Sequence, residues 1–355
     1  MLNVVPVSPS EALKAMPALY EMRIPLFAHG EPGVGKSELI KEFAAAHKMA
    51  LIDLRLTTLE SVDLRGLCSL DRKSGTTRWL RPEFFPLEDV PGIIFLDELT
   101  AAEPRLQASA YELILDRRVG KYTLPPKWWV VAAGNDVEDG AICYRMGSAL
   151  ADRFCHLRVV ANPKDWIAWA QRRGIHPGVM SFIQIRPDYL SGNGAQPQTE
   201  QLVVPSPRSW KRVSDAMHKA TGDSVRKTIV NGLVGDSAAV QFFHTMEEIA
   251  ELPKMEELLN VDPTRAAKVI PATISALYGL TYSLVGFVDS TSDMEAAIRV
   301  FAAVAEVDDN LPRKEIQTLG MELLLAKAHK LNVLDALTIT GAFAEYQPTA
   351  IELSL

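Results

Sequence analysis

The stretch Gly30-Glu31-Pro32-Gly33-Val34-Gly35-Lys36-Ser37 constrains this chain more than any other. It satisfies the pattern G-x-x-x-x-G-K-[ST], follows the apolar run Ile24–Ala28 and precedes an amphipathic segment, so it joins a strand to a helix. A phosphate cradle needs that placement. The glycines let backbone N–H groups turn inward around a β-phosphate. Lys36 reaches the β and γ oxygens as a point charge, and the Ser37 hydroxyl is a Mg²⁺ ligand. The helix that starts near Lys36, with Glu38 in its first turn, adds the positive end of its dipole. Gly30 to Glu38 are therefore expected to bind nucleotide with Mg²⁺; the alternative is an ordinary glycine turn.

Two further strand ends bear on the same chemistry. Ile93-Ile94-Phe95-Leu96-Asp97-Glu98 is an apolar run closing on two acids. A buried strand would deliver Asp97 rigidly to the Mg²⁺ shell, while Glu98 polarises an attacking water. The alternative is a strand that ends in surface acids. Trp129-Val130-Val131-Ala132-Ala133-Gly134-Asn135 would bring the Asn135 amide beside the γ-phosphate, although Gly-Asn-Asp is also common turn chemistry.

The expected fold is α/β: a parallel five-stranded sheet with helices on both faces, then an all-α lid and a further helical C-terminal region. Its strands are Ile24–Ala28, Ala50–Arg55, Gly92–Asp97, Trp129–Ala133 and Phe154–Val160, several apolar without interruption, as strands buried on both faces are. Ser8-Pro9-Ser10-Glu11 forms a capping box that opens a helix before the first strand. Beyond about residue 161 helical periodicity takes over, with helices expected near Trp210–Lys219, Ala238–Glu251, Pro263–Val288, Met294–Val307 and Pro312–Lys330. Ser292-Asp293-Met294-Glu295 reads as the capping box of one of these. The domains divide at 1–160, 161–235 and 236–355.

The ordered set Gly30–Ser37, Ile93–Glu98 and Asn135 resembles an AAA+ ATPase, and finer text resembles its MoxR branch. Leu96-Asp97-Glu98-Leu99-Thr100 with Gln107 and Tyr111–Leu115 is similar to that branch's D-E-(I/L)-N…Q pattern, with Thr100 where the family has Asn. Ala149–Phe154 resembles A-x-x-D-R-F, and Pro205–Trp210 resembles the S-P-R segment. The resemblance covers about residues 10–230. It implies a ring, usually hexameric, with ATP at subunit boundaries. Asn135 would be sensor 1 and Arg208 sensor 2, or else Arg208 is a surface arginine at a helix start. Arg153 would be the arginine finger that enters a neighbour's site, with Arg145 as rival. Asp63–Leu67 resembles the turn of the branch's pore-directed helix 2 insert, and Trp79-Leu80-Arg81-Pro82 would belong to a short hairpin. Arg117–Thr123 looks like a second hairpin whose Lys121 and Tyr122 are either pore contacts or a solvated tip.

Composition narrows the function. A formal charge of −7 without any basic run counts against an electrostatically driven nucleic-acid binder. Three cysteines without a CxxC pair fit neither a disulfide framework nor a zinc site. With neither a leader-like N-terminus nor a long apolar run, a cytoplasmic protein is expected. The leading expectation is an ATPase (ATP + H₂O to ADP + phosphate) that remodels or matures a protein complex, with an adaptor such as a von Willebrand factor A-domain protein. The alternatives are a nucleic-acid motor of the same superfamily or a nucleotide-gated scaffold.

Overall fold

The computed structural model describes residues 4–135, 144, 146–192, 203–259 and 270–333. The chain forms two compact units: residues 1–165 with 206–208, and residues 166–205 with 209–355.

The first unit is built on a six-stranded, wholly parallel sheet. Its strands are β1 (Pro6–Val7), β2 (Leu26–His29), β3 (Ala50–Arg55), β6 (Gly92–Asp97), β9 (Trp128–Gly134) and β10 (Cys155–Val159), in the order β1-β10-β2-β9-β6-β3. Between them run the helices α1 (Pro9–Glu21), α2 (Lys36–Ala46), α3 (Ser61–Arg65), α4 (Pro104–Asp116) and α5 (Ser148–Ala151). Two antiparallel hairpins stand apart from the sheet: β4 (Leu67–Asp71) with β5 (Thr76–Leu80), and β7 (Arg118–Val119) with β8 (Tyr122–Thr123).

Period-two alternation explains the uninterrupted apolar strands. Ile94 and Leu96 of β6 and Val130 and Ala132 of β9 join one core cluster with Leu106, Ala110 and Leu113 of α4. Their neighbours Ile93, Phe95, Trp129 and Val131 join another with Met16 of α1 and Ile40 and Phe43 of α2. Helices therefore cover both faces, and every residue of β6 and β9 is buried. This is the parallel α/β sheet with helices on both faces expected from the strand pattern.

The sheet corrects that pattern in detail. All five expected strands are present within two residues, and Pro6–Val7 adds a sixth beside β10. A two-residue strand is too short to carry a periodic signal. Ile24 lies outside β2, where its carbonyl accepts the Trp129 indole N–H at 2.8 Å. The Ser8 capping box forms: its hydroxyl accepts from Glu11 N–H while the Glu11 carboxylate accepts from Ser8 N–H at 2.7 Å.

The second unit is helical in its described residues, with helices including Pro177–Ile185, Asp223–Val234, Asp236–Ala250, Ile274–Phe287, Thr291–Glu306 and Arg313–Lys330. Phe182, Trp210 and Phe242 pack ring on ring with centroids 5.0–5.8 Å apart, and the Trp210 indole donates to the Tyr189 carbonyl at 2.7 Å. Thr291–Glu306 is capped by the Ser290 hydroxyl, which accepts from Asp293 N–H at 3.1 Å, and not by Ser292 as its sequence pattern indicated. Both serines offer a hydroxyl; the extended backbone at Ser290 decides which one caps. Among the described residues no helix is long and apolar enough to cross a membrane. The expected helix start at Pro263 and much of the Ser191–Pro207 loop lie outside the described residues.

Candidate nucleotide site

The C-terminal ends of β6 and β9 meet the loop between β2 and α2. Gly35 caps α2 with φ near +108°, in a region that a side chain would disfavour, and no side-chain oxygen caps this helix. The first turn of α2 thus carries the positive end of the helix dipole at the loop without a side-chain cap.

Lys36, though at the first position of α2, is buried. Its ammonium donates to the carbonyls of Gly30 and Glu31 (3.1 Å to the latter) and to Asn135 Oδ1 at 2.8 Å. A lysine ringed by oxygen acceptors is poised to exchange them for phosphate oxygens. Asn135, just after β9, therefore reaches Lys36 directly. The Ser37 hydroxyl donates to Asp97 Oδ2 at 2.9 Å, and Asp97 is buried at the end of β6. A hydroxyl and a buried carboxylate side by side form a hard-oxygen donor pair of the kind Mg²⁺ takes.

Glu98 is the one strained residue of the group. Its backbone is left-handed (φ 61°, ψ 34°), which costs roughly 1–2 kcal/mol for a residue with a Cβ. The twist breaks the strand after Asp97 and swings Glu98 toward β3, where its carboxylate accepts from the Thr57 hydroxyl and lies 3.8 Å from Arg55 Nε. Neither residue was singled out in the sequence, because no local pattern links positions 41 residues apart. A hydrogen bond on this half-exposed carboxylate is worth ~1 kcal/mol, or about a fivefold change in rate. Were Glu98 the general base of an ATPase, Thr57→Ala would be expected to raise basal ATP turnover by about that factor with unchanged nucleotide affinity, as a coupled phosphate-release assay and a fluorescent-nucleotide titration would read. Unchanged or lower turnover would mean that Thr57 does not restrain Glu98.

Thr100, where the resembled pattern has Asn, donates its hydroxyl to the Asn135 backbone carbonyl at 3.0 Å and so ties the turn after β6 to the end of β9. His29, buried just before Gly30, shares a 2.7 Å hydrogen bond with His156. The other ring nitrogen of His156 lies 2.8 Å from the Ala151 carbonyl, which connects the phosphate-loop strand to the turn that carries Arg153. Arg153 itself is exposed and paired with the adjacent Asp152 at 2.9 Å. Arg208 is exposed too, while its backbone N–H donates to the Gly33 carbonyl at 3.2 Å. Arg145 and Cys143 lie outside the described residues.

Residues 25–154 match the family model of the AAA domain (dynein-related subfamily). No curated protein matches the chain. Among solved structures it is similar to a supposed ATPase of Cytophaga hutchinsonii at 15% identity and TM-score 0.36, covering 98% of this chain and 92% of that one. It is similar to the RuvB Holliday junction branch migration motor of Thermotoga maritima at 13% identity and TM-score 0.42, covering 80% and 89%. A third is NtrX of Brucella abortus, at 14% identity and TM-score 0.37, covering 79% and 69%.

Proposed function

We propose that this chain is a ring-forming, MoxR-like AAA+ ATPase that couples ATP hydrolysis to the remodelling or maturation of a protein complex. The observation that supports the reading is the meeting of Lys36 with Asn135 and of Ser37 with Asp97 at the C-terminal edge of a parallel sheet, with Glu98 next to Asp97. Lys36 would bind the β and γ oxygens, and Asn135 would orient the lysine and the lytic water. Ser37 and Asp97 would hold Mg²⁺, which neutralises charge on the phosphate oxygens. Glu98, once released from Thr57, would accept the proton of the attacking water as the γ-phosphoryl leaves for it. Residues 161–235 would act as lid, with Arg208 sensing the γ-phosphate, and residues 236–355 as an extension. An adaptor with a von Willebrand factor A domain fits the reading, since no motif in the chain encodes substrate choice.

The exposure of Arg153 supports a role in a neighbouring subunit's site, since its partner, Asp152, lies beside it in the chain. Arg153→Ala and Lys36→Ala subunits should each be nearly inactive alone, about 10³-fold down, and should recover turnover when mixed. A boundary with its loop from the first variant and its arginine from the second would be complete. No recovery at any ratio would refute the trans role.

Specific ATPase activity over a broad range of protein concentration tests the reading as a whole. Activity per subunit that climbs and then saturates is expected of a site completed by assembly. Flat activity from a chain that sizes as a monomer would overturn the ring, and absence of ATP binding would overturn the site.

A further inference from the structure

The two hairpins of the first unit do something that the nucleotide site does not require. Together they line a cavity of about 260 Å³. Its wall carries three cations, Arg65, Arg81 and Lys121, and no carboxylate, on a chain whose formal charge is −7. Arg65 and Lys121 are exposed, and among the described residues neither has an ion-pair partner. Arg81 donates to the backbone carbonyls of Pro82 and Phe85 and lies 5.8 Å over the Tyr122 ring, so its position is set while its charge stays uncancelled by any acid. The floor is built in. Tyr122 stacks on Phe85 at 4.7 Å and donates its hydroxyl to the Pro86 carbonyl at 2.6 Å. Gly66, with φ near +84°, lets α3 meet β5 so closely that a Cβ there would overlap the Leu80 carbonyl oxygen.

Around this mouth the first hairpin leaves large apolar side chains in solvent: Leu67 and Leu70 are 64% exposed, Leu80 56% and Trp79 47%. Leu67 pairs with Leu80 and Cys68 with Trp79, so the apolar chains lie on both faces of the ribbon, and neither face is covered. An uncovered two-stranded ribbon is marginally stable by itself, and exposed apolar clusters beside a polar rim mark contact surfaces.

We infer that the paired hairpins form a docking site for an acidic polypeptide segment, with carboxylates on Arg65, Arg81 and Lys121 and apolar side chains against Leu67, Leu70, Trp79 and Leu80. Charge complementarity selects the carboxylates. The leucines select a polypeptide over a nucleic-acid strand, because they present no ring to a base. With Tyr122 committed to Phe85, Trp79 is the one open aromatic of the pocket, short of a stacking platform. This site stands independently of the nucleotide reading: binding here requires no hydrolysis.

Fluorescence anisotropy of the full chain tests it without nucleotide, using a fluorescein-labelled peptide of repeating Glu-Leu-Glu-Ala units. The comparison probes are the same peptide with Lys for Glu and an oligothymidylate of equal length. The acidic peptide should bind in a salt-sensitive manner, and the other two should bind at least about tenfold more weakly. Arg65→Glu with Lys121→Glu should weaken the acidic peptide by at least about tenfold, since two attractive contacts become repulsive. A benzoylphenylalanine in place of one leucine of the peptide keeps the test independent of that variant's folding. On the unaltered chain it should crosslink to the Leu67–Leu80 hairpin or to Lys121–Tyr122. Equal affinity in the double variant, crosslinks elsewhere, or oligothymidylate bound as tightly as the acidic peptide would overturn the inference.

Discussion

Glu98→Gln should lower ATP turnover by about 10²–10⁴-fold and leave ATP binding intact, the range set by loss of a positioned general base. The substitution is nearly isosteric. An amide oxygen still accepts the hydrogen bond from Thr57, and the left-handed backbone at this position demands no more of Gln than of Glu. The amide cannot take a proton from water, so the change falls on chemistry alone. Because bound ATP would persist, assemblies of this variant should outlast those of the unaltered chain during size-exclusion chromatography in ATP. Single-turnover hydrolysis alongside a fluorescent-nucleotide titration separates the two effects. Normal turnover would transfer the base role to another residue, and lost binding would place Glu98 in the cradle instead of the chemistry.

Lys36→Ala acts on the other half of the cycle. The ammonium is buried and donates to Gly30, Glu31 and Asn135, so its removal deletes the cation at the centre of the loop and leaves three acceptors facing one another. Loss of one partner of a buried charged contact costs ~3–4 kcal/mol, or about two to three decades of affinity. Nucleotide titration should show that drop in the purified variant, while its circular dichroism stays unchanged because both sheet cores lie outside the loop. Affinity within a few fold of the unaltered chain would refute the phosphate-loop assignment.

How legible the site was depended on distance along the chain. Gly30–Ser37 is a local motif whose function depends on its own backbone, so eight consecutive letters suffice. Asp97 and Asn135 end apolar runs, and the physics of a strand buried on both faces marks those runs. The pairing of Lys36 with Asn135 was not legible, because it follows from β2 and β9 being neighbours in the sheet. Thr57 was invisible for the same reason: β3 lies next to β6, and their register sets Arg55 opposite Asp97, one residue before Glu98. Tyr122 shows a contact that its hairpin position did not reveal. Its hairpin position read as a pore contact or a solvated tip, whereas its ring stacks on Phe85 and its hydroxyl donates to the Pro86 carbonyl.

By itself the sequence determined those properties that rest on nearest-neighbour chemistry: the glycine-rich turn between strand and helix, the capped first helix, the buried strands and the change to helices near residue 161. Each depends on hydrogen bonds and periodicities spanning a few residues. Only the tertiary structure decided strand order, the Glu98 restraint, the Thr100 tie to Asn135 and the meeting of Arg65, Arg81 and Lys121 around one cavity. These are contacts between segments far apart in sequence, and the geometry that closes them comes from packing both faces of the sheet at once.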